Sequence, residues 1–299
     1  MDIVTIQNLQ KRFGEKQVLK GLDLSVPENS VFGFVGRNGA GKTTTMKAIL
    51  GLLPVEGGEI LVAGERVRYG QTATNRFVGY LPDVPEFYSF MTAREYLKLC
   101  GESLSMERGA IRERSEELLS LVGLSEEKSR IRGYSRGMKQ RLGIAQALLS
   151  RPRLLICDEP TSALDPIGRK EILDILLAAR EHTTVLFSTH ILSDVERICT
   201  DVAFLHEGRT ALCGSVAELR QAHATERFTV EMADPAEAER LRAAFSYAGE
   251  TEGSYVVFSG GEAHVFEVLD FIRGNQLSLR GLSRTRSSLE TLFLEVVEK

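Results

Sequence analysis

One eight-residue stretch constrains the fold of this chain more than any other. Residues 36–43 read Gly-Arg-Asn-Gly-Ala-Gly-Lys-Thr and fit the pattern G-x-x-x-x-G-K-[ST] at every fixed position. The apolar run of residues 31–35 before the stretch predicts a buried strand, and residues 44–52 after it predict a helix. A glycine-rich loop between a buried strand and a helix is typical of an α/β fold with a parallel core sheet.

The glycines of this loop make it suitable for holding phosphate. At Gly36, Gly39 and Gly41 the absence of a Cβ allows the backbone to approach an anion closely and to adopt φ values that other residues avoid. Successive N–H groups can then form a nest for the anion, and the following helix adds the positive end of its dipole. The stretch therefore predicts a nucleoside triphosphate site; a chance glycine-rich turn is the alternative.

Three residues at the end of the loop have predicted roles toward the triphosphate. Lys42 is expected to bring a positive charge to the β- and γ-phosphates, and Thr43 is expected to offer a hydroxyl to Mg²⁺. Thr44 is expected to add a hydroxyl or main-chain contact to a phosphate. The loop by itself does not indicate which class of triphosphatase it serves.

Two carboxylates follow a second apolar run. Residues 154–157 are all apolar and predict a buried parallel strand, which Asp158 and Glu159 follow directly. Ligands of open α/β sheets bind at the carboxyl ends of the strands, so Asp158 is placed to hold Mg²⁺, directly or through water. Glu159 is placed to polarise a water molecule. Two acids at an exposed strand end are the alternative.

Two further residues stand near predicted strands. His190 lies at the end of the buried strand predicted over residues 184–188, as Glu159 lies at the end of its own strand, although a lone histidine is usually structural. Phe13 precedes the strand that begins near residue 18, and an exposed aromatic ring there is placed to stack on a purine. An ordinary core or hairpin phenylalanine is the alternative for Phe13. The short strands around the loop also predict an antiparallel β layer beside the nucleotide.

The middle of the chain, residues 92–150, has a helical pattern. Thr92 followed by Glu95 is a capping-box signature for the first of these helices. The sequence Ser135-Arg136-Gly137 precedes a strong helix over residues 139–149 and forms a second potential anion site at a helix N-terminus. This second signal is weak alone, because many helices begin with a serine cap.

Composition narrows the class of protein. With 299 residues the chain is long enough for about two domains, and its apolar fraction of 43% is ordinary for a soluble globular protein. No apolar run approaches the about 20 residues of a membrane-spanning helix, and the N-terminus lacks a signal-peptide pattern. The net charge is −4 without a long basic block, which disfavours nucleic acid as a partner. The four cysteines show neither metal spacing nor a disulfide framework, and Cys157 is expected to be a buried thiol.

The character of the chain changes after about residue 219. The order strand–helix–strand–strand–helix–strand, followed by a last helix carrying Leu289, Leu292, Phe293 and Val296, predicts a small α+β, ferredoxin-like module. We therefore expect two domains. Residues 1–220 are the nucleotide-binding domain, with a helical subdomain over about 88–150, and residues 221–299 are a C-terminal accessory domain.

These motifs, in this order along the chain, resemble those of ATP-binding cassette (ABC) transporter ATPase subunits over about residues 2–220. Residues 134–138 match the signature loop of the family, residues 154–159 its Mg²⁺-binding strand with the catalytic glutamate, and His190 its switch histidine. The resemblance implies a P-loop NTPase fold of the ABC type, with a parallel core sheet, an antiparallel β layer and a helical signature subdomain. It also implies ATP hydrolysis with Mg²⁺.

The resemblance assigns roles residue by residue. The implied nucleotide contacts are Phe13, Val18, Gly36, Asn38, Gly39, Ala40, Gly41, Lys42, Thr43 and Thr44, together with Ser135 and Gly137 of a second copy. The implied metal contacts are Thr43, Asp83 and Asp158, and the implied catalytic residues are Glu159 and His190. The implied partners are a second copy, in a head-to-tail dimer around two ATP molecules, and an integral-membrane permease at the cytoplasmic face of the cell membrane.

Within the family, the chain resembles most the export-type branch whose six-helix permease is a separate protein. The cues are Gly79-Tyr80-Leu81-Pro82, the signature form Tyr-Ser-x-Gly-Met and the C-terminal stretch of residues 288–294. The resemblance places the permease contact near residues 86–91. An importer ATPase subunit, a non-transport cassette ATPase and a phosphate-loop kinase are the alternatives; the kinase is disfavoured by the signature loop and His190.

Two departures from the family pattern concern the nucleotide site. Asp83 stands where the family usually has Gln; Asp is shorter and charged, so an indirect contact to Mg²⁺ or water is expected. In the signature loop, commonly Leu-Ser-Gly-Gly-Gln, Arg136 and Met138 replace a Gly and the Gln. Ser135 and Gly137 are retained, so we expect the loop to function.

Overall fold

The computed structural model describes residues 1–222 and 227–285, together with residues 289, 292 and 293. The chain divides into two units, Met1–Val216 and Ala217–Lys299. Among the described residues, no helix combines the length and the apolar character that a bilayer-spanning segment requires.

The first unit contains two β-sheets. Its strands are β1 (Asp2–Phe13), β2 (Lys16–Pro27), β3 (Val31–Gly36), β4 (Gly57–Val62), β5 (Glu65–Arg66), β6 (Val78–Leu81), β7 (Leu154–Cys157), β8 (Thr184–Thr189), β9 (Asp201–His206) and β10 (Arg209–Ser215). The core sheet has the order β10-β9-β3-β8-β7-β6, in which every pair is parallel except the edge pair β9–β10. Every residue of β3, β7 and β8 is buried, because helices and the second sheet cover both faces.

The second sheet is antiparallel and has the order β2-β1-β4-β5. Its inner face and the core sheet share one hydrophobic cluster, to which Ile6 and Leu22 contribute from the strands of the second sheet and Phe34 and Met46 from the core sheet and its first helix. The antiparallel β layer that the sequence predicts is therefore confirmed. It positions the β1–β2 hairpin beside the carboxyl end of β3.

Helices surround the core sheet and form a separate helical layer. The helices of the first unit are α1 (Lys42–Ile49), α2 (Ala93–Ser103), α3 (Arg108–Leu121), α4 (Arg136–Leu148), α5 (Pro166–Ala179) and α6 (Leu192–Ile198), after which α7 (Val216–Ala222) follows. Helix α2 begins with the predicted capping box, in which the Thr92 hydroxyl accepts from the Glu95 amide and the Glu95 carboxylate from the Thr92 amide. Short 3-10 turns at Ala73–Phe77 and Ile131–Gly133 precede β6 and α4.

Two glycines set the close packing of the helical layer. A Cβ at Gly101 would lie 2.7 Å from Ile111, so α2 and α3 meet at this point without room for a larger residue. A Cβ at Gly143 would lie 2.5 Å from Leu81, which brings α4 directly onto the end of β6. Helix α4 is thus fixed against the strand that leads to Asp83.

The second unit has the predicted order of elements. Strands β11 (Arg227–Met232), β12 (Ala248–Glu252), β13 (Tyr255–Ser259) and β14 (Leu279–Thr285) alternate with helices α8 (Pro235–Ala244) and α9 (Glu262–Gly274). The sheet order β12-β13-β11-β14, with antiparallel pairs throughout, is that of a ferredoxin-like module. The last predicted helix lies outside the described residues, apart from Leu289 and Leu292, which are buried, and Phe293.

Candidate functional site

The carboxyl ends of β3, β7 and β8 open into a cleft of about 480 Å³. Its lining includes residues from the phosphate loop, from the ends of these strands and from the β1–β2 hairpin: Lys16, Val18, Asn38, Gly39, Gly41, Lys42, Thr43, Thr44, Asp83, Asp158, Glu159, Ser162 and His190. Asp83 follows β6, so the ends of four strands of the parallel sheet meet at one cleft, which is where open α/β sheets bind their ligands.

The phosphate loop presents free backbone donors to this cleft. Helix α1 begins at Lys42, earlier than the sequence pattern predicts, and its N-cap Gly41 has φ 114° and provides no side-chain cap. The first amides of a helix have no intrahelical acceptor, so the N-terminus of α1 is a ready anion site. Gly39 and Gly41 have positive φ values, whereas Gly36 does not. Gly36 is required for another reason, since a Cβ there would lie 2.8 Å from the Leu205 carbonyl oxygen.

Lys42 is held in place by the loop that it follows. Its ammonium donates a hydrogen bond to the Gly36 carbonyl oxygen at 2.6 Å and lies 3.0 Å from Glu159 Oε1. The side chain is nearly buried, so its charge acts in a medium of lower dielectric than water. Lys42 and Glu159 belong to strand ends far apart in the sequence, and the parallel pairing of the sheet brings them together.

Glu159 is held by several contacts in a strained conformation. Its φ of 47° lies in the left-handed region, which costs a residue with a Cβ about 1–2 kcal/mol. Its backbone amide donates to Ser188 Oγ at 2.9 Å, and its Oε2 lies 3.0 Å from His190 Nδ1. Its Oε1 is buried and makes no hydrogen bond of acceptable geometry, although Lys42 is at ion-pair distance. Strain of this kind at a cleft is typical of a functional residue.

Asp158 lies beside Glu159 and is almost fully buried. Ser188 Oγ donates a hydrogen bond of 2.6 Å to Asp158 Oδ1 and accepts a hydrogen bond from the Glu159 backbone amide. One hydroxyl therefore orients both the Asp158 carboxylate and the Glu159 backbone. Burial, together with the negative charge of Asp158, raises the pKa of the neighbouring Tyr80 to about 12, which keeps that phenol neutral. Cys157 is fully buried, as the sequence predicts, and this burial raises the pKa of its thiol.

The residues at the cleft suit a magnesium ion that a nucleotide brings with it. Thr43 and Asp158 both line the cleft, on the phosphate loop and at the end of β7. Within the described part of the chain, no group of three or more His, Cys, Asp or Glu side chains could hold a metal ion. Mg²⁺ commonly binds through one or two protein groups and the oxygens of a substrate phosphate. The donor set therefore fits Mg²⁺ bound with ATP better than a permanent metal site.

The loop after Glu159 is anchored by a buried acid. Asp194 on α6 accepts hydrogen bonds from Thr161 Oγ1 at 2.8 Å and from Arg169 Nε at 2.6 Å. Asp165 then caps α5 by accepting from the Gly168 amide at 2.9 Å. These bonds fix the loop between Glu159 and α5. They also hold α6, the helix that follows His190, against this loop.

Several predicted site residues lie outside the cleft lining. Phe13 is half exposed at the β1–β2 hairpin, with Lys11 Nζ 5.1 Å from the centre of its ring. Gly36 and Ala40 belong to the phosphate loop but do not line the cleft. Ser135 and Gly137 stand at the N-terminus of α4, where the Ser135 hydroxyl caps the helix by accepting from the Met138 amide at 3.2 Å. Ser135 and Gly137 therefore do not line the cleft of their own subunit.

Residues 162–165 match the family loop that follows the catalytic strand, and the structure places Ser162 of this loop in the cleft lining. Sequence reasoning assigned no role to Lys16 or Ser188, although Lys16 lines the cleft and Ser188 holds both carboxylates. For Ser188 the available signal is a small polar residue at the carboxyl end of an apolar strand, just before His190. For Lys16 it is a basic residue in a hairpin next to Phe13. Neither signal has a fixed spacing from the phosphate loop, so only the strand register identifies them.

The comparisons with known proteins agree with this geometry. A family model described as ABC transporter matches residues 19–162. The chain is 38% identical to the ABC transporter ATP-binding protein YxlF of Bacillus subtilis (strain 168), with 99% of each chain covered. It is 41% identical to the bacitracin transport ATP-binding protein BcrA of Bacillus licheniformis, over 69% of this chain and 68% of that protein.

A solved structure of a transporter ATP-binding subunit has the same fold as this chain. The structure titled "Structure of ATP binding subunit of ABC transporter" superposes with a TM-score of 0.66 at 31% identity, covering 74% of this chain and 92% of that one. The family match, the full-length relative and this fold agreement all concern ATP-binding subunits of transporters, and the cleft has the donors for a triphosphate. The chain therefore belongs to the family of ABC transporter ATP-binding subunits, which are enzymes that hydrolyse ATP.

Proposed function

We propose that this subunit hydrolyses Mg²⁺-bound ATP within a head-to-tail dimer of two copies and drives a separate membrane permease that exports its cargo. The observation that supports the dimer most directly is the separation of the nucleotide-binding groups. Lys42 and Glu159 line the cleft, whereas Ser135 and Gly137 lie outside it at another helix N-terminus. The N-terminus of α4 can therefore complete the anion site of a second copy, because the first amides of a helix bind anions.

Five side chains of the cleft have defined tasks in the proposed reaction. Lys42 and the first amides of α1 bind the phosphates, and Thr43 and Asp158 are the groups that would hold Mg²⁺, whose charge would stabilise the phosphate oxygens. Glu159 orients the attacking water and accepts its proton, because its carboxylate is fixed by Ser188 through the backbone and by His190. His190 is a positioning partner of Glu159 in this proposal.

The proposed dimer gives the signature loop a precise role. Ser135 would offer its hydroxyl, and the N-terminus of α4 its amides, to the nucleotide in the cleft of the second copy. ATP would then hold the two copies together, and its hydrolysis would release them. This gives a two-state cycle to which a permease can be coupled.

The Ser135→Ala variant tests the dimer. Hydrogen bonds to charged groups contribute about 1.5–3 kcal/mol, so we expect ATP-driven dimerisation to weaken by at least about tenfold. The measurement is sedimentation velocity with Mg²⁺ and ATP, in a Glu159→Gln background that keeps the ATP intact.

The matched control for this prediction is Thr92→Ala, which removes the N-cap hydroxyl of α2 in the same unit. Both variants lose a helix cap worth about 1 kcal/mol, so both should lose similar thermal stability. Only Ser135→Ala should lose dimerisation. Dimerisation that is equally strong in Ser135→Ala and in the parent would contradict the proposed arrangement.

The proposed permease contact lies on the segment after Asp83. Val84, Tyr88 and Phe90 expose more than half of their surface there, and the rings of Tyr88 and Phe90 are 6.0 Å apart. Exposed apolar groups that cluster on a surface commonly mark a protein–protein interface. The relative BcrA is named for bacitracin transport, which supports an antibiotic-type cargo and the export branch for this chain.

A photo-cross-linking amino acid at Phe90 tests this contact. We expect it to capture a membrane protein from cells that express the chain at its natural level, several-fold more efficiently than the same group at Tyr69. Tyr69 is the control because it is equally exposed and lies in a turn after β5, outside the segment that follows Asp83. Mass spectrometry identifies the captured protein. Equal capture from both positions, or capture of no membrane protein, would contradict the proposed contact.

A further inference from the structure

The two departures from the family pattern meet in the structure. Asp83 follows β6 and lines the nucleotide cleft, and Arg136 is the first residue of α4, inside the signature loop. Arg136 Nη2 lies 3.5 Å from Asp83 Oδ1. Both side chains are slightly less than half exposed, so the ion pair is accessible to water but partly shielded. Asp83 stands where the family usually has the neutral Gln, and Arg136 stands where it commonly has Gly. The two departures thus place opposite charges next to each other.

Two further contacts hold α4 against the chain around Asp83. Gln140, which is fully buried, donates from Nε2 to the Asp83 carbonyl oxygen at 2.8 Å. One turn further along, Gly143 allows α4 to contact Leu81 directly. The backbone at Asp83 is therefore fixed to α4 independently of the ion pair. Gln140 and Gly143 therefore join this edge of the cleft to α4 through direct contacts.

The two residues compensate each other in charge. With Gly at position 136, the Asp83 carboxylate would face no cation at this edge of the cleft. With Gln at position 83, the Arg136 guanidinium would lose its anionic partner beside a loop that meets phosphate. A carboxylate is shorter than a glutamine side chain, and the long arginine side chain spans the additional distance to it. The ion pair therefore accounts for Asp83 and Arg136 together, but not for either residue alone.

We propose that Asp83 and Arg136 form a positioning pair that sets the signature loop of a subunit according to its own nucleotide cleft. One carboxylate oxygen of Asp83 contacts Arg136, and the carboxylate as a whole lines the cleft where nucleotide, metal and water bind. A ligand in the cleft that attracts the Asp83 carboxylate weakens its ion pair with Arg136. The positions that Ser135 and Gly137 present to the second copy then change. This inference rests on the proposed ATP-bound dimer.

A double-mutant cycle tests the pair. The variants are Asp83→Asn, Arg136→Gln, their combination, and the exchange Asp83→Arg with Arg136→Asp, and the measurement is the ATP-driven dimerisation constant in the Glu159→Gln background. Exposed ion pairs change such equilibria by about two- to fivefold. We expect each single variant to weaken dimerisation by that factor, the combination to be no weaker than the worse single variant, and the exchange to recover most of the loss.

The control pair is Asp174 and Arg197, whose atoms Oδ1 and Nη2 lie 2.8 Å apart at similar exposure, and neither residue lines the cleft. Asp174→Asn and Arg197→Gln should leave dimerisation unchanged. Effects of Asp83→Asn and Arg136→Gln that simply add, or an exchange variant weaker than both single variants, would overturn the inference.

Hydrogen exchange separates this inference from the proposed dimer. At protein concentrations too low for dimerisation, we expect Mg²⁺ and ATP to slow amide exchange in residues 134–140 of the parent, and to slow it less in each single variant. The same slowing in all variants would overturn the inference, even if ATP drives dimerisation. If ATP does not drive dimerisation of the parent but the expected pattern of amide hydrogen exchange is observed, the proposed dimer is overturned. The positioning pair is then still supported within one subunit.

Discussion

Replacing Glu159 with Gln is expected to lower ATP turnover by at least about 10²-fold and to leave ATP binding intact. General-base catalysis typically contributes about 10²–10⁴-fold, and Gln keeps the size of the side chain without its ability to accept a proton. The backbone of residue 159 remains bonded to Ser188, so the left-handed conformation and the cleft should persist. The measurement is steady-state phosphate release, with ATP affinity determined separately by calorimetry.

The control for this prediction is Glu181→Gln, which removes a carboxylate that is exposed to solvent and does not line the cleft. Turnover in that variant should equal that of the parent. His190→Ala, which removes the contact to Glu159 Oε2, should also lower turnover without weakening ATP binding. Near-normal turnover in Glu159→Gln would exclude this residue as the base.

Replacing Lys42 with Ala is expected to weaken ATP binding by at least about tenfold. The ammonium is nearly buried at the end of the phosphate loop, so its interaction with phosphate is weakly screened by solvent. Charge-assisted hydrogen bonds contribute about 1.5–3 kcal/mol, which corresponds to a loss of affinity of at least about tenfold. The variant also leaves Glu159 Oε1 buried without its ion-pair partner, and this unpaired charge further opposes the binding of an anion beside it.

Lys47→Ala is the matched control, because Lys47 is an exposed lysine in the last turn of the same helix. It should bind ATP as the parent does, and its melting temperature shows whether a lost lysine on α1 affects folding. Calorimetric titration with ATP and Mg²⁺ compares the three proteins. An unchanged dissociation constant in Lys42→Ala would contradict the assignment of residues 36–43 as the phosphate-binding loop.

Much of the cleft could be predicted from the sequence because its chemistry depends on local spacing. The loop places Lys42 and Thr43 at the start of a helix by their position after the last glycine, and Asp158 and Glu159 directly follow an apolar strand. Parallel strands present their carboxyl ends on one edge of a sheet, so these residues were expected at one site. The structure places all four in the cleft.

The contacts between these residues could not be predicted, because each joins segments that are distant in the sequence. Ser188 touches Asp158 and Glu159 only since β7 and β8 pair in a particular register. A shift of that register by one residue would turn Ser188 to the opposite face of the sheet. The same holds for Asp194, which holds the loop after Glu159 although its own surroundings in the sequence contain no recognisable motif.

The sequence by itself determined the nucleotide chemistry, the α/β fold with its antiparallel layer, and the membership of the family, because strand periodicity, glycine positions and motif order are local properties of the chain. Only the tertiary structure decided how these parts contact one another: the ion pair of Lys42 with Glu159, the double role of Ser188, and the meeting of Asp83 with Arg136. The physical reason is that strand register and helix packing bring together side chains whose separation along the chain carries no information about their distance in space.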